Sequence, residues 1–162
     1  MDEEAKGTAL NQISYGLYVV GSAAGDEING MTLNWLTQLS FDPPLVGIAC
    51  QNSSYSRQLI DAGGVFSVNL IGQDGKGLLT RFIKPHRRVG VKLGSAEGAS
   101  DYYTASTGAP ILKEALSWFE CRVVQAIATG DHTFYIGEVV GAGVHRPGEA
   151  IRLADSGWHY GG

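Results

Sequence analysis

Two long runs of β-forming residues meet at a three-residue turn, and that hairpin restricts the fold more than any other feature of the sequence. Ala115 to Thr129 (ALSWFECRVVQAIAT) alternates well enough to be one long strand, and Thr133 to Val144 (TFYIGEVVGAGV) is its partner. Gly130-Asp131-His132 is the turn that joins them. Upstream, Tyr15 to Ser22 reads as a strand closed by the turn Ala24-Gly25-Asp26, and Thr32 to Phe41 as a second that Pro43 and Pro44 stop. Leu45 to Cys50 is continuously apolar and short, which suits a strand buried on both faces. Val65 to Ile71 sets Phe66, Val68 and Leu70 on one face, and a last short strand is expected over Ala150 to Ala154.

Helices are few. Leu10 to Ser14 is a short helical or extended opening segment, and Tyr55 to Ala62 is a short helix with Ser53 or Ser54 as cap and Gly63-Gly64 as its stop. Asp74 to Ile83 is a second, weakened by Gly75 and Gly77 and ended by Pro85. From Lys84 to Pro110 the periodicity fails, and the segment reads as a long, partly extended excursion of the kind that carries function. About six or seven strands against two short helices favour a mainly β fold, an antiparallel barrel closed or half-closed, in a single domain over residues 1–162.

Composition narrows the function. A formal net charge of −4 argues against nucleic acid as a partner, and the basic group Lys84, Arg87, Arg88 and Lys92 is local. Cys50 and Cys121 sit inside apolar runs, which suits buried thiols in a reducing cytoplasm better than a disulfide. No apolar run has the length of a membrane span, and the first dozen residues are acidic rather than signal-like. His86, His132, His145 and His159 lie far apart without a second ligand at metal spacing, so no metal site is expected. GQDGKG, from Gly72 to Gly77, lacks the spacing of a dinucleotide fingerprint, and no GxSxG elbow is present.

What remains is Asn29 to Arg57, NGMTLNWLTQLSFDPPLVGIACQNSSYSR, which sets polar residues between apolar runs without a catalytic cluster. Asn29 opens this cradle, and Asn34, Thr37, Gln38 and Ser40 offer amides and hydroxyls along a strand. The helix start after Gln51 and Asn52, with the Ser54 and Ser56 hydroxyls and Arg57 nearby, is a place for a phosphate. Together these fit an organic phosphate cofactor better than a covalent catalyst.

The run from YGLYVVGS through NGMTLNWLTQLSFDPPLVGIACQNSSYSRQLI, followed by FSVNL, GAPIL, FEC and GDHTFYIGEVV, resembles the flavin reductase-like proteins with the FMN-binding split barrel. The likeness spans nearly the whole chain and keeps the motifs in order. It implies an antiparallel Greek-key split barrel, a homodimer, bound FMN or FAD, and hydride transfer from NAD(P)H. It also implies a redox partner protein or a monooxygenase for some members, whereas others are ferric reductases or flavoredoxin-like electron carriers. Carried onto this chain, it sets Thr32, Leu33, Asn34 and Trp35 along the isoalloxazine. Cys50, Gln51, Asn52, Ser54 and Ser56 then lie at the ribityl chain and phosphate. Lys92 stands where members carry a lysine, and His132 lies in the GDH turn near the face that nicotinamide approaches. Each has a plainer alternative: Trp35 and Cys50 as core residues, Ser54 and Ser56 as helix caps, His132 as an exposed turn residue. Trp118, Phe119, Trp158 and Tyr160 look exposed, which agrees with a dimer interface.

Overall fold

The computed structural model describes residues 1–84, 87–89, 92–95 and 98–159; Pro85, His86 and Tyr160, named above, lie outside them. The chain opens on α1 (Glu3–Asn11), where the sequence suggests only a segment from Leu10 to Ser14. Asp2 caps α1 by accepting from the N–H groups of Glu4 and Ala5 at 3.0 and 3.1 Å, with Glu3 and Glu4 on the positive end of the dipole. The helix buries no residue, so it has no apolar stripe for a periodicity argument to find.

β1 (Tyr18–Ala24) and β2 (Glu27–Leu33) form a hairpin across Gly25, whose φ of +56° is cheap only for glycine. Next come β3 (Leu36–Ser40), β4 (Leu45–Gln51), α2 (Tyr55–Gly63) and β5 (Val65–Leu70). A 3₁₀ turn, Gln73–Gly75, leads into α3 (Lys76–Arg81), shorter than the helix expected over Asp74 to Ile83. The excursion is itself sheet: β6 (Arg87–Val89), β7 (Lys92–Ser95), β8 (Gly98–Thr104) and β9 (Pro110–Leu112) pair in that order. Three of its strands are only three or four residues long and the fourth, GASDYYT, is mostly polar or small, so they lack the apolar alternation that betrays longer ones. β10 (Ser117–Thr129) and β11 (His132–Val144) are the long hairpin. The chain then makes two isolated bridges, Gly72 with Ala150 and Gly16 with Arg152, and ends in the short helix α4 (Leu153–Ser156) in place of the expected strand.

The larger sheet runs β2-β1-β5-β10-β11-β4-β3 with antiparallel pairings throughout. The strand expected over Thr32 to Phe41 is therefore two strands on opposite margins, β2 beside β1 and β3 beside β4, with Asn34 and Trp35 between them. A flat sheet of this many strands would be about 29 Å wide, and the step from Leu33 to Leu36 reaches about 11 Å at most. The sheet must curl until its margins meet, and Asn34-Trp35 crosses the seam.

Curling gives β1 and β5 two buried faces. Val19 enters a cluster with Leu17, Ile71, Leu79, Phe82, Leu93, Leu112 and Ile151, between the curled sheet, α3 and the smaller sheet. Val20 enters the other, inside the curl, with Ile48, Ile60, Phe66, Val68, Cys121 and Tyr135. Cys50 and Cys121 are free and buried there, and burial, seconded by nearby carboxylates, pushes both thiols up to about 12. Asn69 ties the two sheets together: its amide donates to the Val19 carbonyl at 3.0 Å and its Oδ1 accepts from the Leu112 N–H at 2.7 Å.

Glu120 is 1% exposed, yet both its oxygens are occupied. Ser106 gives N–H and O–H to Oε1 at 3.0 and 2.6 Å, and Thr107 gives the same pair to Oε2 at 3.0 and 2.6 Å. Burial alone would raise this carboxyl, but the Ser106 and Thr107 hydrogen bonds outweigh it and hold the group below its ordinary value. A lowered folded value means that the stabilisation is complete above about pH 4.3, where the unfolded carboxyl ionises. It is lost as pH falls through the folded value. Glu120→Gln is expected to cost about 2 kcal/mol at neutral pH, and urea unfolding should show the gap to the wild type narrowing below about pH 4.

Candidate functional site

A cavity of about 620 Å³ runs along β2, within the range of cofactor sites. Asn29, Thr32, Leu33 and Asn34 of the expected set lie on its β2 side, Trp35 and His132 at the seam, and Gln51, Ser54 and Ser56 at the corner from β4 into α2. Ser54 caps α2, its Oγ accepting from the Arg57 N–H at 3.2 Å. Ser56, two residues further and buried, accepts from the Asn29 amide at 2.6 Å, so that β2 and α2 are joined by a polar contact on the cavity wall. Each hydroxyl thus uses its oxygen as acceptor and keeps its hydrogen to give away. At the other end of β2, Asn34 is 9% exposed, and its Nδ2 has no partner among the described residues.

His132 is not a turn residue. It opens β11 opposite Gln51, is 7% exposed, and packs on Trp35 with ring centroids 4.6 Å apart. The turn proper is Gly130-Asp131, and Asn52 fixes it from the β4 corner: its N–H donates to the Asp131 carbonyl at 2.9 Å and its amide to the Gly130 carbonyl at 3.1 Å. Thr133 closes the arrangement by donating to Asn52 Oδ1 at 2.8 Å. Asp131 Oδ1 lies 2.7 Å from His132 Nδ1, and that hydrogen bond, then the ring's charge when protonated, lowers the Asp131 carboxyl. A carboxylate accepts only, so Nδ1 carries hydrogen, and Nε2 is the ring nitrogen that Asp131 does not engage.

Five expected residues do not line the cavity. Cys50 points into the core inside the curl, and Asn52 serves the turn. Arg57 pairs with Asp61 across one helical turn at 3.0 Å, and Asp61 also accepts from Tyr135. Ser40 closes β3 on the far margin, and Lys92 belongs to the smaller sheet, 3.4 Å from Asp101. Conversely, Leu17, Met31, Tyr55, Gln58, Ile83, Leu153, Trp158 and His159 line it without being expected from the sequence. Met31 and Tyr55 are within reach of the sequence, since both fall inside the cradle. The others come from distant segments or, for Gln58, from just past its end. Among the described residues no group of three or more His, Cys, Asp or Glu could hold a metal ion, and no helix is long and apolar enough to cross a membrane.

The chain matches the model of the flavin reductase like domain over residues 10–161. It belongs to that family. It is 35% identical over 117 residues to the NADH-dependent flavin reductase StyB of Pseudomonas fluorescens, covering 72% of this chain and 64% of that one. It is 31% identical over 143 residues to the FMN reductase (NADH) SmoA of Agrobacterium fabrum, covering 88% and 77% respectively. The chain spans less than two thirds of the first of these and about a quarter of two diflavin flavoproteins it also matches (26% and 25%). Among solved structures, the flavin reductase PheA2 superposes with a TM-score of 0.81 at 25% identity, over 99% of this chain and 98% of that one. The styrene monooxygenase flavin reductase of Pseudomonas putida gives 0.73 at 29%, over 90% and 88%.

Proposed function

We propose that this flavin reductase-family domain is an NAD(P)H-dependent flavin oxidoreductase that binds FMN along β2. The observation that carries the reading is the cavity itself. It has donors at both ends, the Ser54 and Ser56 hydroxyls at the start of α2 and the unpartnered Asn34 amide beyond Leu33, with a mostly apolar floor between them. A phosphorylated, flat, amphipathic ligand suits that arrangement. FMN, when bound, supplies the hydride-accepting ring, so the chain's own residues need only bind, orient and stabilise charge. In this reading Ser54 and Ser56 hold the phosphate, Asn34 donates to the ring's polar edge, and His132 holds a hydrogen bond through Nε2 at the mouth. FAD would leave its adenylate outside the α2 end. The names of StyB and SmoA support NADH as the donor, and that of the Pseudomonas putida reductase supports a monooxygenase as consumer of the reduced flavin. Buried free thiols agree with a reducing cytoplasm.

The test is NADH consumption in air as FMN is added. Consumption should be negligible without flavin and rise to saturation with it, and a rate no higher than that of NADH and FMN alone would overturn the reading. His132→Ala should slow reduction of bound FMN about tenfold, roughly 1.4 kcal/mol of transition-state stabilisation, with FMN affinity within twofold of the wild type. Anaerobic stopped-flow mixing with NADH measures it, and an unchanged rate would leave His132 as a packing partner of Trp35.

The domain acts as a homodimer in this account. β5 pairs with β10 only from Ser117 to Arg122, so beyond that point β10 has a strand on one side alone. The uncovered stretch carries Val124 and Ile127, 54% and 38% exposed. An apolar, unpaired edge of this length invites a second copy. Trp118, Phe119 and Trp158, by contrast, are half-buried and leave this role to the β10 edge. Sedimentation at micromolar concentration should give twice 17.2 kDa, and Ile127→Glu should shift it toward the monomer; a wild-type monomer would contradict the dimer.

A further inference from the structure

We infer that Trp158 is the aromatic face against which the flavin ring packs, an inference that rests on the function proposed above. Its position is built rather than incidental. The segment before it is tied to the start of β1, with the Leu17 N–H donating to the Ile151 carbonyl at 3.2 Å and the Leu153 N–H to the Tyr15 carbonyl at 2.9 Å. Buried Ser156 donates to the Leu153 carbonyl at 2.7 Å and accepts from the Trp158 N–H at 3.0 Å. Gly157, with φ +71°, ends α4 in the left-handed region and turns the chain back, so that Trp158 returns to the cavity it helps to line. One part of the indole rests on the core cluster that includes Leu17 and Ile151, and the Lys76 ammonium stands 5.7 Å from its ring centroid. Both contacts fix the ring's plane before any ligand arrives.

The location along the cavity decides what the ring meets. Asn29 marks the α2 end of β2 through its bond to Ser56, and the register sets Tyr18 opposite Leu33 at the other end. The tail is stitched to Leu17, next to Tyr18, so Trp158 belongs to the Leu33–Asn34 end, about 14 Å from the hydroxyls of α2 by strand rise. A ligand whose phosphate lies on α2 brings its ring system, not its phosphate, to Trp158. A half-buried indole with one side supported offers that ring an apolar, polarisable surface, and stacking of a heteroaromatic on such a face is worth about 1–3 kcal/mol.

Binding of FMN and of riboflavin is followed by flavin emission with the wild type, Trp158→Leu and Trp158→Phe. Leucine keeps the apolar contact with the core and removes the ring. Trp158→Leu should weaken FMN and riboflavin by the same factor, about tenfold, and leave bound flavin emitting more strongly; Trp158→Phe should recover most of both. Affinities within twofold of the wild type, or a loss confined to FMN, would overturn the inference while leaving the flavin reading intact. A wild type that binds no flavin would overturn both. A binding measurement on the native protein guards against a misfolded variant: the indole N–H resonance of Trp158, assigned by its loss in Trp158→Phe, should shift when riboflavin is added to the wild type. An unmoved resonance at saturating riboflavin would also overturn it.

Discussion

Apoprotein titrated with riboflavin is expected to bind it about a hundredfold more weakly than FMN, because the two differ only in the phosphate that the start of α2 would hold. Ser54 and Ser56 are both oriented to donate: one accepts from the Arg57 N–H, the other from the Asn29 amide, and each keeps its own hydrogen for the ligand. A hydrogen bond to a charged group contributes about 1.5–3 kcal/mol, so two of them at the lower figure, about 3 kcal/mol together, account for about a hundredfold. Ser56→Ala should remove about tenfold of the FMN affinity and leave riboflavin almost unchanged. Calorimetric titration reads both. Equal affinities would mean that the phosphate does not lie on α2.

Gly63→Ala should destabilise the fold by at least about 3 kcal/mol. A Cβ at Gly63 would lie 1.8 Å from the Ala23 carbonyl oxygen, a backbone atom of β1 that cannot step aside. The helix would have to lift from the sheet, and Ser54 and Ser56 would leave the cavity wall with it. The same substitution at Gly77, inside α3, puts a Cβ where nothing lies within 4 Å, and should instead stabilise by about 0.5–1 kcal/mol. Urea unfolding of the two variants separates close packing from helix propensity, and similar effects at both positions would remove α2–β1 contact as the explanation.

Legibility from sequence follows the physics of each segment. The β10–β11 hairpin and the helix after Ser54 are readable because long alternation and a cap followed by glycine are local signals. α1 escapes because a helix held by Asp2 and its dipole buries nothing. The smaller sheet escapes because strands of three or four residues, RRV, KLGS and PIL, are too short to show alternation. The break at Asn34-Trp35 is hidden because β2 and β3 are nearly contiguous in sequence and differ only in which strand each pairs with, a property of the curled sheet as a whole. The site divides the same way. Asn29, Thr32, Leu33, Asn34, Gln51, Ser54 and Ser56 come from one stretch, whereas Leu17, Ile83, Leu153 and Trp158 arrive by tertiary packing. Arg57 and Lys92 look available for a phosphate as cations, but their carboxylate partners, Asp61 and Asp101, can be assigned only once the fold is known.

The central claim is that the cavity along β2 holds a flavin in position to be reduced by a nicotinamide. Anaerobic mixing of the FMN-loaded protein with NADH tests it most directly. The visible flavin absorbance should disappear in one phase, faster than free FMN is reduced at the same NADH concentration. Absorbance that persists, or that fades no faster than in the absence of protein, would contradict it.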